Sequence, residues 1–256
     1  MKDIISLLMT YHGVLTDQAE AAALIFLRVG AVFATLPAFG EQSVPARIRL
    51  VLVLMFGAAI APAVISDLQG VPLAQGFLPE IAIGLTLGIV VRLFVLSLMT
   101  AGTIAANATS LSQLFPMGAE AQPAISKLFV VTGLALAVQT GLHLRVTEYL
   151  ILSYDLLPAG VWPRPDLIAE WGVAQTSRAF SLAFMISMPF LIASLVYNVA
   201  LGVVNRAMPQ LMVSFVGAPA LGLGGLVLLA LVTPIALAVW LQAFNAFLTM
   251  PIGPIP

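Results

Sequence analysis

The sequence predicts an all-α, polytopic protein that lives in or against a bilayer, and three observations carry that prediction. No charged residue occurs among the last fifty positions, 207–256. Over the whole chain 61% of residues are hydrophobic and only 8% charged, whereas about a quarter of the residues in an average soluble domain carry charge. The apolar residues also gather in six runs, at 21–39, 48–65, 81–106, 124–157, 179–204 and 218–248. A helix rises about 1.5 Å per residue and a hydrocarbon core is about 30 Å thick, so a span needs roughly 20 such residues.

Taken in order, the runs are uneven. The N-terminus MKDIISLLMTYHG balances Lys2 with Asp3 and has an apolar core of only 4–9, shorter than the h-region of a secretory signal, so cleavage is not expected. The run 21–39 has Arg28 in its middle and Pro37 near its end, and 48–65 is short and contains Pro62. Arg92 sits inside 81–106. A lone arginine at bilayer depth costs roughly 2.5–3.5 kcal/mol even on the lenient insertion scale, so both arginines should face protein, carbonyls or water. The loops 41–49 and 66–80 join the first runs. Glu80, directly after Pro79, reads as a helix start with a carboxylate near the positive end of the dipole. The segment 160–178 is the one polar connector long enough to form a small exposed element. With loops this short and no fixed-period repeat, the chain reads as one domain of helical hairpins.

Pro62, Pro189, Pro219 and Pro234 interrupt would-be helices. Proline removes a backbone donor, a loss that neighbouring protein can repair and lipid cannot. Gly84 and Gly88 stand at GxxxG spacing, and Gly217, Gly222, Gly224 and Gly225 are grouped. Small residues let helices approach closely, although both residue types are also simply commoner in membrane helices.

Chemistry is sparse. The net charge is −1 and the pI about 6.1, which excludes the basic field that draws in nucleic acid. Without cysteine, disulfides, thiolate nucleophiles and iron–sulfur sites are excluded, and only His12 and His143 remain as imidazole ligands. The signatures HExxH, GxSxG, Walker A and GxGxxG are all missing, so neither an enzyme nor a bound metal or cofactor is expected. His143, Arg145 and Glu148 cluster on one helical segment and admit two readings, a proton relay or an ordinary i, i+3 surface ion pair.

Between Ile104 and Ala124 the chain reads AANATSLSQLFPMGAEAQP, uncharged until Glu120 and broken at Pro116, Met117 and Gly118. It is apolar enough to be buried and too irregular to span lipid. Non-helical backbone at that depth survives only inside protein or against a water-filled cavity, so this segment either lines or blocks a pathway or is a tight interhelical turn.

The segments LPAFGEQSVPARIRLVLVLMFGAAIAP at 36–62 and GVVNRAMPQLMVSFVGAP at 202–219 resemble the two signatures of the FliR (SctT) family of type III protein export. Length and break pattern agree, so the resemblance covers nearly the whole chain. Met212 departs from it, where the family pattern often has Asn. The resemblance implies a non-enzymatic, pore-forming subunit of the export gate in the bacterial inner membrane, at a flagellar basal body or injectisome base. One copy joins five of FliP and four of FliQ, with FlhA-type and FlhB-type components nearby, and the gate passes unfolded secreted proteins. Its Pro/Gly-kinked hairpins are then tilted and packed on neighbouring subunits. It further implies a pore plug over Ser110, Leu114, Phe115, Pro116, Met117, Gly118 and Gln122, and assembly roles for Arg47, Arg49, Asn205, Arg206 and Gln210. The alternative from another class is a stand-alone secondary transporter using Arg28, Arg92 and the His143–Glu148 cluster. Internal symmetry between the halves would mark such a transporter, and none is evident.

Overall fold

The computed structural model describes residues 2–37, 39, 44–109, 123–208 and 213–251. These form seven α-helices and one short 3-10 turn, with no strand among the described residues. The helices are α1 (Lys2–Thr35), α2 (Ala46–Val64), α3 (Leu73–Ala108), α4 (Ala124–Gln139), α5 (Leu142–Leu156), α6 (Pro165–Ala207) and α7 (Val213–Thr249). Five of them hold a stretch long and apolar enough to cross a membrane, and α4 with α5 makes a sixth if the pair counts as one span. The fold is all-α and polytopic.

Except for α4 and α5, which share one run, the helices are longer than the apolar runs. Pro62, Pro189, Pro219 and Pro234 all lie inside helices and end none of them. The segment 165–178 is not a separate exposed element but the beginning of α6, where Pro165 takes the first helical position and Asp166 the first turn, both favoured there. Likewise α3 starts at Leu73, so Pro79 and Glu80 are interior and Glu80 is no helix start. The orphan N–H of Leu73 is instead satisfied by Glu20 Oε2 of α1, at 3.0 Å, a carboxylate at a helix N-terminus. The apolar run 124–157 divides at Gly141, whose φ of +91° suits a residue without Cβ.

The chain forms two compact units, each assembled from separate segments. The first comprises Met1–Arg92, Gly141–Gln175 and Phe247–Pro256. In it α1 and α2 form an antiparallel hairpin, because Gly30 packs against Val53 while Gly57 packs against Ile25. By contrast α1 and α3 run parallel: Gly76 meets Leu24, Gly84 meets Arg28 and Ala31, and Gly88 meets Val32 and Thr35. The approach is tight. A Cβ on Gly84 would lie 2.5 Å from the Arg28 carbonyl oxygen and 2.7 Å from the Ala31 Cβ, so the GxxxG spacing here is used for helix contact. Phe33, Ile60, Ile83, Val91, Val146 and Tyr149 fill the core.

The second unit comprises Leu93–Thr140 and Thr176–Ala246. Its part of α3 runs antiparallel to α4, with Gly102 against the Ser126 backbone and Leu98 against Gly133. The Ser126 hydroxyl donates to the Met99 carbonyl at 2.9 Å. Trp240 of α7 is fully buried, stacks on Phe244 and donates its indole N–H to the Phe94 carbonyl at 2.8 Å, the partner a buried indole requires.

These contacts separate the glycines by consequence. Gly84→Ala is expected to lower stability by about 1–3 kcal/mol through overpacking against backbone. Gly172→Ala, with nothing within 4 Å of its added Cβ, is expected to be neutral or stabilising by about 0.5–1 kcal/mol, the helix preference of alanine over glycine. Thermal unfolding of the two variants in detergent checks the contrast.

Candidate functional site

The most highly organised polar centre lies in the first unit, where α1 and α3 approach at Gly84. One helical turn before Gly84, on the same side of α3, stands Glu80. The close parallel packing therefore sets Glu80 beside Arg28. The guanidinium and carboxylate pair in a fork: Nε donates to Oε2 at 2.6 Å and Nη2 to Oε1 at 3.0 Å. Both side chains are completely buried.

Every remaining donor of Arg28 is used. Nη1 donates to the Ser153 carbonyl at 3.1 Å and to its Oγ at 3.3 Å, and Nη2 donates to the Leu157 carbonyl at 3.0 Å. The Ser153 hydroxyl donates its own hydrogen bond to the Leu150 carbonyl at 2.6 Å, which leaves its lone pairs for Arg28. The Tyr154 ring lies 3.8 Å from the guanidinium carbon, a cation–π contact. Glu80 Oε1 also accepts the N–H of Gly160 at 3.0 Å. Gly160 has a φ of +71°, and a Cβ there would strike Val71, so the carboxylate is reached by a backbone that only glycine supplies without strain. The cluster ties α1, α3, the C-terminal half of α5 and the turn after it to one point. Chemically it is saturated, with neither a donor left for a substrate nor a carboxylate lone pair facing an open site.

The other charged candidates do not join it. Arg92 is exposed and lies twelve residues beyond Glu80 on α3, about 18 Å along the axis. His143 is exposed, and Arg145 and Glu148 form an exposed i, i+3 pair at 3.1 Å, the surface pairing that is one of the two readings of that segment. Among the described residues no hydrogen bond or ion pair joins Arg92 or the His143–Glu148 cluster to Arg28.

Residues 19–247 match the model of the family described as bacterial export proteins, family 1. The chain belongs to that family. It is 35% identical over 239 residues to the flagellar biosynthetic protein FliR of Caulobacter vibrioides, an alignment that covers 90% of this chain and 95% of that protein. It is 31% identical over 221 residues to FliR of Escherichia coli K12, with 82% of each chain covered. With FliR of Bacillus subtilis the identity is 25% over 213 residues, 79% of this chain and 82% of the other.

In the export protein the motif residues fall at helix ends. Arg47 is exposed in the first turn of α2, and Arg49 is half-buried with its Nε donating to the Phe39 carbonyl at 3.3 Å, which closes the preceding loop. Asn205 and Arg206 are exposed in the last turn of α6. Gln210 and Met212, and with them Ser110, Leu114, Phe115, Pro116, Met117, Gly118 and Gln122, lie outside the described residues. Sequence reading overlooked Ser153 and Gly160, and it took Glu80 for a helix start. A signal existed: Arg28 and Glu80 are isolated charges of opposite sign within or beside apolar runs, and such charges need each other.

Breaking one side of this pair leaves an uncompensated buried charge. Arg28→Met or Glu80→Leu alone is expected to cost about 3–5 kcal/mol, while the double variant, which removes both charges, recovers most of that loss. Unfolding midpoints of the three variants in detergent, with their steady-state levels in membranes, check the expectation.

Proposed function

We propose that the chain is a pore-forming, non-enzymatic subunit of a flagellar type III export gate, passing unfolded flagellar proteins across the bacterial inner membrane at the basal body. The observation that carries this reading is family membership over residues 19–247, joined to relatives that all bear the name flagellar biosynthetic protein FliR. Its partners on this reading are homologues of FliP and FliQ, in five and four copies around one copy of this chain, with FlhA-type and FlhB-type components beside them. No cofactor, metal or nucleic acid takes part. Because α3, α6 and α7 each run through both compact units, we take the units to work as one gate module.

The outer faces of the helices support an assembled state. Only 17% of the most apolar stretch within Ala46–Leu68 and 22% of that within Pro219–Thr249 is buried inside the chain. Ile48, Val51 and Met55 of α2 and Leu195, Val199 and Val203 of α6 stand more than half exposed. Apolar patches of this extent call for lipid or partner protein, and the prolines inside these helices favour protein. Arg47, Asn205 and Arg206, exposed at helix ends, are placed to pair with neighbouring subunits. Co-expression with FliP and FliQ homologues, detergent extraction and native mass spectrometry are expected to give one complex containing a single copy of this chain. A monodisperse, protease-resistant monomer formed alone would overturn the reading.

On the same reading the segment 110–122 seals the resting pore. A conduit wide enough for an unfolded chain leaks ions unless something apolar and removable closes it, and hydrophobic constrictions do so by expelling water. Leu114, Phe115 and Met117 provide that material, methionine with a flexible thioether, while Pro116 and Gly118 keep the segment from locking into a regular helix. Replacing the three side chains by serine is expected to leave the complex assembled and to raise its ion conductance in planar bilayers. Unchanged conductance would make the segment a connector.

A further inference from the structure

This inference rests on the reading above, that the chain works inside an assembly, and deepens it by specifying one contact. Arg92 is the only ionisable residue of the apolar run 81–106, about 16 Å from one end of it and about 21 Å from the other. Its side chain is exposed and has no hydrogen bond or ion pair among the described residues. Leu78, Leu85 and Ile89 share its face of α3 at helical spacings and are 60%, 37% and 50% exposed. Ile81 and Ala82, half-buried, complete the stripe. The surface is therefore an apolar ridge about four turns long with one cation at its end.

We infer that this ridge seats a helix of a partner subunit that presents an aspartate or glutamate carboxylate to Arg92. A guanidinium out of water must have its donors met, and the same chain shows the solution at Arg28, where a carboxylate takes two donors in a fork. That geometry is specific to the planar guanidinium. Lipid phosphate lies at the interface, beyond the reach of a side chain midway along this run; the stripe has no second basic residue to hold a phosphate, and the hydroxyl of half-buried Thr86 at its edge donates to the Ala82 carbonyl at 2.8 Å. A face lining a water-filled passage would be polar along its length, and this one is apolar. Charge complementarity in an apolar seat leaves a helix-borne carboxylate as the fitting occupant, and four turns of ridge suffice for helix packing.

The test uses the full chain co-expressed with the export-apparatus partners, intact or as Arg92→Leu or Arg92→Glu. The level of each pulse-labelled chain in membranes is recorded before complexes are isolated. Arg92→Leu is the informative variant, since it makes the run more apolar and membrane insertion easier. A lipid-facing position would tolerate or favour it. The expected result is normal membrane levels with complex yield reduced at least about tenfold for Arg92→Glu and several-fold for Arg92→Leu, the scale set by truncating a buried charge pair. Converting one partner Asp or Glu to Arg is then expected to restore the Arg92→Glu complex. If the intact chain fails to co-purify with the partners, the gate reading falls and this inference with it. If the intact chain co-purifies and both variants assemble equally well, or if no partner carboxylate rescues, the gate reading stands and the inference is overturned.

Discussion

A buried guanidinium admits no partial solution, and the first unit is organised around that constraint. Once Arg28 leaves water, five donors need acceptors and one positive charge needs a counter-ion. The chain supplies them from four places in sequence: Glu80, Ser153, Leu157 and the Tyr154 ring. Each demand propagates into local structure. Glu80 reaches Arg28 only because Gly84 and Gly88 let α3 lie directly on α1, and Glu80 completes its own set only because Gly160 adopts a positive φ. The cluster is weak evidence for extra stability, since an apolar set of equal volume does comparably well. What it does supply is register: a slip of α3 along α1 by one turn would strand both charges, so the pair selects one alignment among those a ridge of glycines permits.

The second unit solves the same packing problem with no buried charge among its described residues. There Gly102 lies against the backbone of Ser126, and Gly133 receives Leu98 and the side chains around Trp240. Among its described residues the buried polar groups are the Trp240 indole N–H and the hydroxyls of Ser97, Thr109, Ser126 and Ser187, and each donates to a backbone carbonyl, the indole and Ser97 to Phe94 and Ser126 to Met99. Aromatic contacts among Trp240, Phe244 and Phe94 provide the directional packing that hydrogen bonds provide around Arg28. The unit thus holds together through close backbone approach and ring geometry, a design that leaves the outward residues of α6 and α7 apolar.

How much of this was legible in the sequence depends on whether a feature is local. Fold class followed from the uncharged C-terminal fifth and the runs of apolar residues, and family from two long motifs. The use of Gly84 and Gly88 in close contact was visible from their spacing. Helix limits were less so: Pro79 with Glu80 was read as a helix start and 160–178 as a connector, whereas Pro79 lies inside α3 and Pro165 takes the first position of α6, where proline is favoured. Glu80 was misread along with Pro79. Placed at a helix start, it had an adequate local explanation, and its partner lay 52 residues away. The putting together of Ser153 and Gly160 was not legible at all, since backbone acceptors and donors carry no sequence signature. The proposed plug and Gln210 lie outside the described residues, so their placement rests on the resemblance alone.

Arg28 and Arg92 pose the same problem and meet it differently. Both lie within long apolar helices, and both face the same physical requirement once water is removed. For Arg28 the requirement is met entirely within the chain; for Arg92 the surrounding stripe of α3 is apolar and exposed, and no described residue answers it. The same asymmetry recurs without charge along α2 and α7, whose apolar faces are mostly uncovered. A folded protein that satisfies one buried cation so fully has the means to satisfy a second. On the inference drawn above, the acceptors for Arg92 come from a partner helix, which would place on a single side chain the need for partners that the apolar composition suggests for the whole.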